Sequence, residues 1–152
     1  MSPSIKLRKA IPEDAKAISE LMVPLVKEFI SYEYTDQGTA VMLKSMTPKI
    51  IRANIEQSYG YFVAEERNRI IGVLGFKQGY HLFHCFVNKK YHRKRLGKRL
   101  WQHWLADSKP ERVTVNSSKY AIKFYQALGF KSNHEIFEKN GVICYPMVYE
   151  KH

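Results

Sequence analysis

Apolar residues recur at two spacings along this chain, and the switches between them mark its elements. Ile5 to Arg8 alternates and predicts a first strand. Pro12-Glu13-Asp14 then suits a helix start, with an early proline and two acids in the first turn. Behind it Ile18, Leu21, Met22, Leu25, Val26, Phe29 and Ile30 recur at helical spacing. Pro24 falls inside that stripe and predicts a kink or break near Val23. Tyr32 to Thr39, with Gly38, reads as a loop, and Thr47-Pro48 opens a second helix to about Gln57.

Tyr59 to Ala64 and Ile70 to Lys77 read as strands joined by a hairpin turn at Glu66-Arg67-Asn68. Tyr80 to Val87 is a fourth strand, and a basic loop leads from it into a third helix with Leu96, Leu100 and Trp104 on one face. Arg112 to Val115 is a fifth strand. In a fourth helix Ala121, Phe124, Tyr125 and Leu128 share a face, with Gly129 placed for a left-handed C-cap. Lys131 to Phe137 and Val142 to Tyr149 form a terminal hairpin across Lys139-Asn140-Gly141. The order β-α-α-β-β-β-α-β-α-β-β predicts an α+β fold, a mixed and largely antiparallel sheet of about seven strands flanked by about four helices.

Composition adds a single domain over residues 1–152, since 45% hydrophobic and 13% aromatic content provides for one sizeable core. No apolar run approaches the roughly 18 residues of a membrane span. The segment from Met1 to Arg8 lacks the apolar centre of a secretory leader. Cys85 and Cys144 lie in strand-like apolar runs with no metal-ligand spacing around them, which suits a reducing compartment and predicts the cytoplasm. The net charge of +11 calls for a polyanionic partner. No membrane partner is expected; self-association into a homodimer stays open.

The chemistry concentrates between Leu82 and Leu100. A strand, a basic loop and a helix start together make a phosphate site, because the first turn of a helix leaves amides unpaired and its dipole favours negative charge. His92, Arg93, Lys94, Arg95 and Lys98 add charge and donors there, while Gly97 lets backbone approach a ligand closely. A solvated basic turn is the alternative reading of the same residues.

The run Val87-Asn-Lys-Lys-Tyr91-His92-Arg93-Lys94-Arg95-Leu96-Gly97-Lys98-Arg99-Leu100 resembles the acetyl-CoA loop of the GNAT superfamily of N-acetyltransferases. That pattern is Gln or Arg, two residues, Gly, one residue, then Gly or Ala. Gly97 fills the last position, His92 stands at the first, and Arg95 replaces the middle glycine. A positive φ at Arg95 would cost ~1–2 kcal/mol. Val113-Thr-Val-Asn116-Ser-Ser118-Lys-Tyr120-Ala121-Ile-Lys-Phe124-Tyr125-Gln-Ala-Leu128-Gly129-Phe130 is similar to the family's next block, where a strand ends in a small polar residue and a helix carries a Phe-Tyr pair before Leu-Gly-Phe.

The resemblance implies an acetyl-CoA-dependent N-acetyltransferase in which a primary amine attacks the thioester directly in a ternary complex. It places the pantetheine arm along the backbone at Phe86 and Val87 and the diphosphate on the loop from His92 through Leu96 to Lys98. Asn116 would bond the arm from strand 5, and Tyr125 would act as general acid. With an unperturbed pKa near 10, its phenol carries a proton at neutral pH. His81 is the candidate base; His84, on the opposite face if the strand alternates regularly, is a lesser one. Glu33, between two tyrosines, is a candidate contact for a cationic acceptor. Polyamines, amino acids, antibiotics and protein amines all remain open as acceptors. The rival reading is a basic, non-enzymatic module for nucleic acid or another polyanion.

Overall fold

The computed structural model describes residues 4–57, 59–77 and 80–151. The leader reading thus rests partly on residues 1–3, which lie outside the described residues. Among the described residues there are eight strands: β1 (Lys6–Lys9), β2 (Gly60–Glu66), β3 (Arg69–Lys77), β4 (His81–Val87), β5 (Arg112–Ser117), β6 (Lys131–Ser132), β7 (Phe137–Lys139) and β8 (Val142–Glu150). Five α-helices accompany them: α1 (Ala15–Leu25), α2 (Asp36–Lys44), α3 (Pro48–Glu56), α4 (Leu96–Ser108) and α5 (Ile122–Ala127). The spatial order is β1-β2-β3-β4-β5-β8-β6, with β7 paired to β8. β4 and β5 run parallel, and the other described pairs are antiparallel. The predicted α+β class with a largely antiparallel sheet is the observed one.

Two apolar cores sandwich the sheet. On one face Ile18, Met22, Leu25 and Val26 of the α1 stripe pack with Met46 and Ile51 against Tyr61, Val63 and Val73. On the other, Leu96, Leu100, Trp101 and Trp104 of α4 pack with Tyr125 and Phe130 against Leu74, Leu82, Val113 and Val115. Trp104 stacks on Phe76 with ring centres 3.9 Å apart. Each fully buried aliphatic or aromatic side chain here stabilises the fold by roughly 1.5–3 kcal/mol. At the β1–α1 junction Arg8 donates to both Asp14 and Glu65, and Asp14 also accepts the Ile11 N–H.

Three expectations need correction. The segment read as a loop around Gly38 is the start of α2. Thr35 caps that helix by accepting the Gly38 N–H at 2.9 Å. A glycine in a first turn weakens a local helix signal by about 1 kcal/mol, so a sequence pattern reads it as a break. Next, Pro24 does not end α1. The helix runs through it to Leu25 and then widens into a π-type turn over Val26–Ile30, with the Ser31 N–H reaching the Val26 carbonyl. Finally, the strand expected over Lys131 to Phe137 is split into β6 and β7. The Asn133 N–H reaches the Pro146 carbonyl at 3.3 Å, but Pro146 has no N–H to return, so the β6–β8 ladder stops there.

Local turn chemistry holds where it was expected. Arg67 and Asn68, at φ 52° and 62°, make the β2–β3 turn, and Asn140 and Gly141, at φ 52° and 84°, make the β7–β8 turn. Thr47 caps α3 with Pro48 at its first position. Among the described residues, no helix is long and apolar enough to cross a membrane.

Candidate functional site

The site begins where the sheet opens. β4 and β5 pair only at His81–Thr114 and Leu82–Val115, although β4 continues to Val87 and β5 to Ser117. From Phe83 onward the β5-facing edge of β4 has no strand beside it, and its backbone groups are available to an extended ligand. A bulge sits at that point. Gly75 pairs with His84 and Phe76 with Leu82, which leaves Phe83 as the extra residue on β4.

The bulge overturns the expected separation of the two histidines. Consecutive Phe83 and His84 stack with ring centres 4.2 Å apart, so both point to the α1–α3 side. His84 Nδ1 bonds the hydroxyl of Tyr61, a residue of that core. His81 Nδ1 bonds Thr114 Oγ1 at 2.8 Å, and Thr114 alternates with Val113 and Val115 of the other core. His81 and His84 therefore share a face. Burial, with the charge of Lys77 adding to it, lowers both pKa values, that of His84 to about 3. Both rings are neutral at pH 7.

The loop after β4 is tied back to the strand. The His92 ring bonds the Val87 carbonyl through Nε2 at 2.7 Å, so that nitrogen carries the proton, and Nδ1 accepts from the Tyr120 hydroxyl at 3.4 Å. Arg93 and Arg95 both adopt left-handed backbone, at φ 66° and 61°. The glycine of the related loop is thus replaced where an arginine is strained. Replacing Arg95 with glycine is expected to raise stability by roughly 0.5–1 kcal/mol, the relief of strain less the greater freedom of the unfolded chain. A denaturant midpoint that falls instead would show that the arginine side chain is held by contacts worth more than the strain.

Arg95 precedes the first turn of α4. The first helical bond runs from the Arg99 N–H to the Arg95 carbonyl at 3.0 Å, so the Leu96, Gly97 and Lys98 amides have no acceptor within the helix. No acid lies in this turn to offset the dipole. Gly97 has a second duty that the sequence did not show. A Cβ there would stand 2.9 Å from the Phe124 ring, so the glycine lets α5 pack against the start of α4.

Tyr125 is held by the end of α5. The Phe130 N–H reaches the Tyr125 carbonyl and the Gly129 N–H the Gln126 carbonyl, each at 3.0 Å, with Gly129 left-handed at φ 102°. The Tyr125 ring lies against Phe124 and Phe130 and is 5% exposed. Burial first, and then Cys85 beside the hydroxyl, raise its pKa well above 10. Burial also pushes the Cys85 thiol up to about 12.

These parts open onto one cavity of about 820 Å³ that passes through the gap between β4 and β5. Phe86, Val87, His92, Arg93, Arg95, Leu96, Gly97, Lys98, Asn116 and Tyr125 all line it, as the sequence reading grouped them. Lys94 and His81 stand apart. Lys94 borders a separate hollow with Glu66 and Arg99, and His81 is engaged with Thr114 outside the lining. Glu33 is also outside the lining, accepting from the Tyr145 hydroxyl at 2.7 Å.

Sequence reasoning missed half the wall. Leu25, Phe29, Ile30, Tyr34, Met42, Met46 and Phe83 line the α1–α3 side of the cavity. Phe29 and Ile30 belong to the helical stripe that read as core, and the π-type turn delivers them to the cavity instead. Tyr120 stacks on Phe29 with ring centres 4.9 Å apart, which joins this wall to the β5–α5 loop. No local signal marked that contact.

The fold has known counterparts. A family model described as an acetyltransferase (GNAT) domain matches residues 30–151. No curated protein matches the chain by sequence. Among solved structures, a GCN5-related N-acetyltransferase from Rhodopseudomonas palustris is similar at TM-score 0.80 and 16% identity, covering 99% of this chain and 98% of that one. The PaiA N-acetyltransferase from Thermoplasma acidophilum, in complex with coenzyme A, is similar at TM-score 0.80 and 17% identity, covering 97% and 99%. YncA from Salmonella typhimurium, solved with its cofactor acetyl-CoA, is similar at TM-score 0.66 and 19% identity, covering 96% and 93%. With a family match over most of its length and the family's fold throughout, this chain belongs to the GNAT acetyltransferases.

Proposed function

We propose that this protein transfers an acetyl group from acetyl-CoA to a primary amine by direct attack in a ternary complex. One observation carries the reading: the α4 amides and the Tyr125 hydroxyl serve the same cavity at the parting of β4 and β5. The coenzyme A in the PaiA structure and the acetyl-CoA in the YncA structure support the choice of donor. Acetyl-CoA brings the acyl group as an activated thioester.

The protein's residues then divide the work. The Leu96, Gly97 and Lys98 amides, with Arg93 and Arg95, bind the diphosphate. The open β4 edge at Phe86 and Val87 pairs with the amides of the pantetheine arm, and Asn116 holds that arm from β5. As the amine forms its C–N bond and the C–S bond breaks, Tyr125 gives its proton to the departing sulfur. The proton lost by the amine goes to water, since His81 lies outside the cavity lining, and water returns a proton to the Tyr125 phenolate.

Calorimetry is expected to show acetyl-CoA binding that weakens as salt rises, because exposed cations at the cavity mouth face its phosphates. Absence of binding at millimolar acetyl-CoA would overturn the proposal. Nucleic-acid binding that survives physiological salt in the same preparation would then favour a basic binding module.

A further inference from the structure

We propose that the acceptor is a hydrophobic monoamine, a primary amine on an alkyl or arylalkyl body with no second charge. This rests on the acetyltransferase reading above and names the substrate class of the same site. The half of the cavity on the α1–α3 side is walled by Leu25, Phe29, Ile30, Met42, Met46 and Phe83. Tyr34 supplies the one polar side chain of that wall among the described residues. No aspartate or glutamate lines any part of the cavity among the described residues, whereas Arg93, Arg95, Lys98 and Lys123 do.

The acids nearest in sequence to this wall do not line the cavity. Glu28 accepts from Lys89 Nζ at 2.8 Å, Glu33 accepts from Tyr145, and Asp36 lies outside the lining. A diamine, a polyamine or a lysine-rich peptide would bring a second ammonium into a lobe lined by no carboxylate. Burying such a charge unpaired is costly.

A single amine fares differently, because the apolar wall lowers its pKa and favours the neutral, nucleophilic form. The lobe thereby does the work that a carboxylate base does elsewhere. That accounts for a cavity in which neither His81 nor Glu33 takes part. An apolar body then fills the space between Phe29, Met46 and Phe83, with the Tyr34 hydroxyl as its one polar neighbour.

Thiol release from acetyl-CoA, followed with the full chain, tests this with butylamine, hexylamine, octylamine, phenethylamine, 1,8-diaminooctane and spermidine. The ratio kcat/KM is expected to rise about fourfold per methylene from butylamine until the lobe is full. On the same scale 1,8-diaminooctane should fall on the order of 100-fold below octylamine. Met42→Glu, at a half-buried position on α2, should narrow that gap by at least tenfold by supplying the missing anion. A flat chain-length series, or diamines turned over as fast as octylamine, would overturn the acceptor class. So would acetyl-CoA binding without turnover of any monoamine. Those results leave the donor site standing, whereas loss of acetyl-CoA binding itself would overturn the transferase reading beneath.

Discussion

Replacing Tyr125 with phenylalanine is expected to lower the acetyl-transfer rate by ~10²-fold while leaving the fold and acetyl-CoA affinity nearly intact. The substitution removes one hydroxyl and keeps the ring between Phe124 and Phe130. The lost hydroxyl faces Cys85, a weak partner, so stability should change by no more than about 1 kcal/mol. Because the proton is needed only as the C–S bond breaks, kcat and kcat/KM should fall together. A phenol whose pKa lies well above 10 would be a poor acid toward an ordinary thiolate. Here the neighbouring thiol of Cys85 is itself pushed up to about 12 by burial, and a thiolate released at that spot is made more basic by the same surroundings. The burial that weakens the acid strengthens its target.

The pH profile follows from these directions. Tyr125 stays protonated across the usual assay range, so wild-type activity should rise with pH as the amine loses its proton and show no decline by pH 10. Stopped assays from pH 6 to 10 on both proteins would check this. A variant that is unstable but keeps its rate per folded molecule would make Tyr125 a core residue. One that matches wild type in both respects would give the proton transfer to water.

Gly38→Ala is expected to destabilise the protein by about 3 kcal/mol and to cripple the acceptor side. Gly38 lies against Gly141 in the β7–β8 turn so closely that a Cβ would fall on the Gly141 carbonyl group. The Thr35 N–H bonds that same carbonyl at 3.2 Å, and Thr35 Oγ1 occupies the place where a Cβ of Gly141 would sit. Backbone must therefore move, and the turn and α2 have to part. Met42 travels with α2 and leaves the cavity wall. KM for the amine should rise by at least tenfold, while calorimetric affinity for acetyl-CoA stays within about twofold, since the loop and α4 lie on other elements. Unchanged denaturant and kinetic behaviour would mean that α2 does not depend on this contact.

How much of this could be read beforehand depended on the reach of each rule. The Leu128-Gly129-Phe130 run ends α5 by bonds between residues three and five positions apart, and those bonds set Tyr125 in place. The Arg67-Asn68 and Asn140-Gly141 turns, the Thr47 cap and the amides opening α4 are equally local. Strand and helix periods did the rest, because a buried face leaves its spacing in the sequence. The order of elements and the grouping of the loop, β4, β5 and α5 residues about one cavity were therefore readable, and the related loop and Phe-Tyr block agreed with them.

The α1–α3 side of the cavity was not. α2 sets its glycine against another across the fold, a contact far outside the reach of helix propensity. The bulge at Phe83 turns two histidines to one face through a register set by β3, and regular alternation assigns them to opposite faces. Phe29 and Ile30 look like core in the sequence and become cavity wall only because the last turn of α1 widens. Glu33 stands alone between two tyrosines in the sequence, and in the fold Tyr145, 112 residues away, donates to it. The sequence by itself determined the fold class, the basic loop that opens α4 and the placing of Tyr125, because local hydrogen bonds and face periodicity are written within a few residues. The tertiary structure decided which groups meet across the gap between β4 and β5, because those meetings follow from packing between distant segments.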